Sequence, residues 1–172
     1  SPPSTDIKQE MSLLPALSND YITFGCFQNL SKITPKVLSV WASILRALPT
    51  SRLRIKNKEI NNPETRQFFL SKLDALQFPV HQLILEEGST REAYFSSYAG
   101  VDFMLDTFPF PGGTTTCEAL WMGVPTLTLT GNTLLERQGM SMMSCVGLND
   151  WIADNEEDYK NKALLFSQQL ND

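Results

Sequence analysis

The sequence predicts an α/β domain built on a doubly wound parallel sheet. From Tyr21 onward, short runs rich in β-branched and aromatic residues alternate with longer stretches of helical period, the pattern of repeated βα units. The 172 residues, 42% hydrophobic and 10% aromatic, are also enough to bury one sizeable core and correspond to a single domain.

Residues 1–20 mix Pro2, Pro3 and Pro15 with scattered charges and show no sustained period, so they read as a linker or arm leading into a domain over residues 21–172. Strands are expected over Tyr21–Phe27, Arg52–Asn57, Gln82–Glu86, Val101–Thr107 and Pro125–Thr130. The stretch Pro35–Leu48 places Val37, Leu38, Trp41, Ile44, Leu45 and Leu48 at helical spacing, with Pro35 in the first turn and Thr34 as its cap. Pro63–Gln77 repeats this logic, with Phe68, Phe69, Leu70, Leu73 and Leu76 expected on one side. Ser89 or Thr90 caps a helix running to Tyr98, and later helices are expected over Thr115–Met122, Leu134–Met143 and Glu156–Leu170. No repeat of solenoid length is present.

The formal charge of −5 leaves no overall basic surface for a phosphate polymer, so nucleic acid is not an expected partner. Cys26, Cys117 and Cys145 are odd in number and irregularly spaced, which suits a reducing, cytoplasmic setting and no zinc site. No apolar run approaches bilayer length and the start at Ser1 lacks the charged and apolar leader of a signal peptide, so no membrane partner is expected, while the absent initiator Met reads as a fragment cut from something larger.

The run from Val101 to Pro125 carries a strand, a glycine turn, a helix start and the next strand in order. Gly112 and Gly113 allow close approach of backbone to a ligand, and Thr114, Thr115 and Thr116 add hydroxyls beside the unpaired N–H groups of a new helix. Such a turn suits a diphosphate, and Glu118 in the first helical turn suits a ribose diol. Equally, these residues are what an ordinary capped helix with a favourable N-terminal charge would carry. A second loop, Gln28-Asn29-Leu30-Ser31-Lys32, follows the first strand and opens on the same crevice if the first and fourth strands are adjacent. Lys32 would then give a point charge to the diphosphate, and Gln28 or Asn29 hydrogen bonds. After the third strand, Arg91 and Tyr94 can hold a flat base by stacking and edge contacts, or simply belong to a capped surface helix. His81, the only histidine, lacks a nucleophile partner and reads as a surface loop residue, while Asp106 at a strand exit suits a turn cap. Met140, Met142 and Met143 read as packing residues, and Asp154–Asp158 as a solvated helix start.

With these motifs, YITFGCFQNLSKITP at Tyr21–Pro35, Thr90–Tyr98 and VDFMLDTFPFPGGTTTCEALWMGVPTLTL at Val101–Leu129, the chain resembles the carboxyl-terminal catalytic lobe of the protein O-GlcNAc transferase and SPINDLY family, most closely its bacterial SPINDLY-type members. The resemblance extends from about Leu14 to Leu170 and implies a GT-B fold, in which two Rossmann-like lobes face a cleft and this lobe holds the donor. It implies Lys32 and the Gln28 and Asn29 amides at the diphosphate, Thr114 and Thr115 at the phosphates, Glu118 at the ribose, and Arg91 and Tyr94 near the base. Family members transfer a sugar from a nucleotide donor to Ser or Thr of proteins without a metal, usually beside amino-terminal tetratricopeptide repeats.

The resemblance therefore implies an inverting glycosyltransferase with UDP-GlcNAc as donor and no further cofactor. GDP-fucose is the alternative, because the Gly113–Glu118 run is closer to plant SPINDLY, which uses that donor. Relative to animal O-GlcNAc transferase, Gly113 stands for a histidine, Tyr94 for a base-stacking histidine, Arg91 for a lysine and Glu118 for an aspartate. The acceptor lobe and the repeats are not in this chain, so the lobe alone is expected to bind donor without turnover. A non-catalytic nucleotide-binding or interaction module is the rival of another class. A dinucleotide-dependent enzyme ranks below both, since no G-x-G-x-x-G follows the first strand.

Overall fold

A computed structural model describes residues 20–88, 90–109, 118–119, 121–129 and 149–171. Six parallel strands form one sheet in the order β3-β2-β1-β4-β5-β6: β1 Thr23–Cys26, β2 Arg52–Asn57, β3 Leu83–Glu87, β4 Phe103–Leu105, β5 Thr126–Leu129 and β6 Ile152–Ala153. Helices α1 (Pro35–Ala47), α2 (Pro63–Ala75), α3 (Arg91–Ser97) and α4 (Glu156–Asn171) complete the described frame. This is the doubly wound α/β architecture expected from the sequence.

Local chemistry explains the helix starts. Thr34 Oγ1 accepts from Val37 N at 3.3 Å and Pro35 opens α1, Asn62 Oδ1 accepts from Glu64 N at 2.9 Å and Thr65 N at 3.1 Å before α2, and Thr90 Oγ1 accepts from Ala93 N at 3.2 Å before α3. The expected strands are all present, with β2 at the expected bounds and the others shortened or shifted by a residue or two where the chain leaves the ladder. Strand β6 was not anticipated, because two residues are too short to show a period.

Alternation along the strands divides the interior into two layers. Phe24, Cys26, Leu53, Ile55, Phe103 and Leu105 face one side, where Val37, Leu38, Trp41 and Ile44 of α1, Phe69 and Leu73 of α2, and Tyr159 and Ala163 of α4 cover them. On the other side Phe27 and Met104 pack with Tyr98, Val101, Ala119, Met122 and Val124. Gly25, on that second face, keeps the layer tight: a Cβ there would lie 2.9 Å from Val101 Cγ2. The expectation that Phe68 joins the apolar side of α2 is corrected. Phe68 is 63% exposed, with the Lys72 ammonium 4.7 Å above its ring, because the buried stripe follows Phe69 and Leu73 and leaves the preceding position pointing outward.

Three distant elements meet in one buried polar link. Trp41 Nε1 donates to Tyr159 Oη at 3.1 Å, and Tyr159 Oη donates to the Asp106 carbonyl at 2.9 Å. The Asp106 carboxylate is committed as well, accepting from Thr107 N at 2.9 Å and from Thr128 Oγ1 at 2.7 Å. Replacing Tyr159→Phe removes the hydroxyl while keeping the ring, leaving a buried indole N–H without its acceptor. Its expected effect is a loss of about 1–3 kcal/mol of stability, measurable as a lower urea midpoint with an unchanged slope.

Candidate functional site

The strand order reverses between β1 and β4, and the loops after β1, β2 and β3 rise together at the carboxyl end of the sheet. There they enclose a cleft of about 390 Å³. Phe27 and Asn29 form the wall that follows β1. Lys56 and Asn57, at the end of β2, continue into Lys58 and Glu59, and Gly88, Arg91 and Tyr94 close the side that follows β3.

Short side-chain-to-backbone bonds fasten these loops to one another. The Asn57 amide donates to the Gln28 carbonyl at 3.3 Å, while its Oδ1 accepts from Ile60 N at 3.1 Å. Leu30 N donates to Glu59 Oε1 at 2.9 Å, and Gly88 N donates to Asn61 Oδ1 at 2.9 Å. A side chain at position 88 would collide with the main chain opposite, since its Cβ would lie 2.8 Å from Lys58 Cα.

The aromatic wall is held from behind. Tyr94 Oη donates to Glu118 Oε2 at 2.7 Å, Tyr98 Oη donates to the same oxygen at 3.4 Å, and the two hydroxyls lie 3.1 Å apart. The Phe27 ring packs against both tyrosines, at centroid distances of 5.8 Å and 4.9 Å. Burial, above all, pushes both phenols well above the usual tyrosine range, so they remain hydroxyls able to donate to the carboxylate. A residue after β3 and a residue in the helical segment after β4 are thereby locked together, and the Tyr94 ring is fixed beside the cleft.

Of the residues singled out in the sequence, Asn29, Arg91 and Tyr94 line the cleft, and Glu118 joins it through Tyr94. Gln28 is buried and lines a smaller crevice with Cys26, Leu105, Asp106 and Thr126, beneath the switch point. Lys32 ends the 3-10 turn Leu30–Lys32, half-buried, and is not a wall of the larger cleft. From β4 the chain passes through Asp106, Thr107 and a cis Phe108–Pro109 bond. Gly112, Gly113, Thr114, Thr115 and Thr116 lie outside the described residues, as do Ser89, Cys117, Cys145, all of the expected arm over 1–20 but Asp20, and the helix expected over Leu134–Met143. His81 is exposed on the turn before β3.

Lys56, Asn57, Lys58 and Glu59 were not anticipated as site residues. Lys56 alternates with Leu53 and Ile55 and reads as the polar face of an ordinary strand, and Asn57, Lys58 and Glu59 as its polar exit. The signal that points to them is positional: they stand at the carboxyl end of a parallel strand, where ligands of such sheets bind.

A doubly wound parallel sheet whose polar cleft spans the carboxyl ends of β1 to β3 defines a Rossmann-like α/β domain. The profile of Glycosyl transferase family 41 matches residues 9–171, and the chain belongs to that family. It is 45% identical over 157 residues to the tomato (Solanum lycopersicum) protein named Probable UDP-N-acetylglucosamine--peptide N-acetylglucosaminyltransferase SPINDLY, covering 91% of this chain and 17% of that protein. The Arabidopsis thaliana protein of the same name is 45% identical over 146 residues, 84% of this chain and 16% of its own length. A solved structure of a mutant Thermobaculum terrenum O-GlcNAc transferase superposes with a TM-score of 0.83 at 34% identity, over 99% of this chain and 33% of that one. The chain thus has the fold of one Rossmann-like lobe of a GT-B glycosyltransferase, and spans about a fifth or less of the curated relatives it matches.

Burial of Cys26 on β1 pushes its thiol up from 9.0 to about 12. A raised acid favours the folded state fully below the ordinary thiol value, because both states are then protonated. Above about 9 the unfolded chain ionises while the folded chain holds its proton, so stability falls as pH climbs toward 12. The buried Tyr94, Tyr98 and Tyr159 act in the same direction. The denaturant midpoint is expected to drop between about pH 8 and about pH 10.5, and Cys26→Ala should make that drop shallower.

Proposed function

We propose that this chain is the donor-binding lobe of an inverting protein O-glycosyltransferase that takes UDP-GlcNAc and modifies Ser or Thr of protein acceptors. The observation that carries this reading is the cleft at the carboxyl ends of β1 to β3, with the Tyr94 ring held beside it by Glu118. An immobilised aromatic face suits a flat base, and the glycine- and threonine-rich sequence Gly112–Thr116 suits a diphosphate. The named activities of the tomato, Arabidopsis and Thermobaculum relatives support the same chemistry.

In the reaction, an acceptor hydroxyl oxygen forms the new bond to the anomeric carbon as the bond from that carbon to the diphosphate oxygen breaks. The nucleoside diphosphate leaves with the electron pair, and the hydroxyl proton passes to a base outside this chain. Lys32 and the N–H groups near Thr115 meet the charge that develops on the leaving oxygen, without a metal or other cofactor. Gln28 and Asn29 hold the diphosphate, Thr114 and Thr116 add hydroxyls, Gly112 and Gly113 admit it closely, and Arg91 supports the base. The acceptor is held by parts of the protein beyond this lobe, in the cytoplasm, with no nucleic acid or membrane involved. A second reading, GDP-fucose as donor, is favoured by the Gly-Thr-Thr-Thr-Cys-Glu run at Gly113–Glu118.

Calorimetry on the full-length protein with UDP-GlcNAc and GDP-fucose side by side tests both readings. Heat with one of them is expected, and silence with UDP and GDP at about millimolar concentration, the weak end of specific binding, would leave only a structural role. Lys32→Ala should lower turnover by roughly 100-fold or more, as removal of one charge-stabilising donor does elsewhere. Turnover within a factor of about two of the parent removes Lys32 from the mechanism.

A further inference from the structure

We infer that Tyr98, which does not line the cleft, is a positioning residue: with Tyr94 its hydroxyl ties down one oxygen of the Glu118 carboxylate and so presents the other to the ribose diol of the bound nucleotide. Recognition of the sugar then depends on a phenol in the core of the domain. This rests on the reading of the cleft as the nucleotide site, with Glu118 at the ribose.

Tyr98 follows Tyr94 by four residues, so the two rings leave the same side of the turn that carries α3 into the 3-10 segment Tyr98–Gly100. Their surroundings differ. Tyr94 stands in the cleft wall, whereas Tyr98 is fully buried in the layer of Phe27, Val101, Met104 and Met122. A hydroxyl in so apolar a layer destabilises the fold unless it is bonded, and a phenylalanine ring would fill nearly the same space. The Tyr98 hydroxyl reaches two polar atoms at the edge of that layer, Tyr94 Oη at 3.1 Å and Glu118 Oε2 at 3.4 Å.

Each phenol has one proton to give. Tyr94 gives its own to Glu118 Oε2 at 2.7 Å, the short distance of a charged acceptor, so in the contact between the two hydroxyls Tyr98 is the donor. The Tyr98 proton is shared between Tyr94 Oη and Glu118 Oε2, and each bond in this chain polarises the next. Two donors from one helical turn thus converge on a single oxygen, which removes the freedom of a half-buried glutamate to turn its carboxylate. Glu118 Oε1 has no hydrogen bond among the described residues, so it is the oxygen left for a ligand. A carboxylate oxygen repels a phosphate but accepts from hydroxyls. With the base on the Tyr94 ring, the ribose is the part of a nucleotide that follows, and its neighbouring hydroxyls are such donors.

The test is calorimetric titration of the full-length protein with UDP, GDP and their 2′,3′-dideoxy analogues, which keep base and diphosphate but lack the diol. In the parent, UDP or GDP should bind about ten-fold or more tightly than the matching dideoxy analogue, as hydrogen bonds to a charged group give. Tyr98→Phe keeps the ring and should weaken the ribonucleotide by about three- to ten-fold while leaving the dideoxy analogue unchanged. A merely structural loss would weaken both. Tyr94→Phe, in the half-buried cleft wall, should show the same diol-selective loss however the core tolerates a change at Tyr98. A parent indifferent to the diol overturns the inference, as does either variant that weakens both nucleotides alike or neither. No binding of UDP, GDP or their analogues overturns the underlying reading of the cleft, and this inference with it.

Discussion

Strand β1 has β2 on one side and β4 on the other, so the chain winds outward in one direction through β2 and β3 and in the other through β4, β5 and β6. Because parallel crossovers are right-handed, that reversal sends α1 and α2 to one face and α3 with the Ala119–Val124 segment to the other. The connections leaving the central strands are therefore drawn apart, and the gap between them cannot be filled by the sheet itself. The smaller crevice beside Gln28 lies at that reversal, and the larger cleft opens next to it over the carboxyl ends of β1 to β3.

The two faces are built differently. On the α1 side, Leu53 and Ile55 of β2 are fully buried under large apolar side chains. On the α3 side, the alternate positions of the same strand are Arg54 and Lys56, and the short helix opposite offers them Ser97, through its carbonyl at 3.3 Å and its hydroxyl at 2.8 Å. Lys56 is a buried charge on the face that leads to the cleft.

Much of this was readable from the amino acids. The helices over Pro35–Ala47 and Pro63–Ala75 announce themselves by Asn or Thr caps, a proline in the first turn and apolar spacing, all of them local properties. Tyr94, Arg91 and Asn29 were identified from loop positions in a known kind of sheet, and they do meet at one cleft. Lys56 escaped because a polar residue alternating with Leu53 and Ile55 looks solvated, and only the fold of α3 over it makes it buried. Phe68 failed in the reverse sense: one step of rotation on a helix separates a core position from an exposed one, and residue type alone does not set the phase. The bond between Tyr94 and Glu118, 24 positions apart, belongs to tertiary structure and has no signature in sequence.

The indole of Trp41 finds its acceptor on Tyr159, 118 positions further along the chain. At a synthesis rate of about 5–20 residues per second, that partner emerges on the order of 10 s after the tryptophan. During that interval the apolar stripe of α1 has no C-terminal helix to cover it. The domain must therefore pass through a sticky, incomplete stage on every ribosome, and its yield in a cell depends on how quickly translation carries it past that stage or on a chaperone that shields it meanwhile.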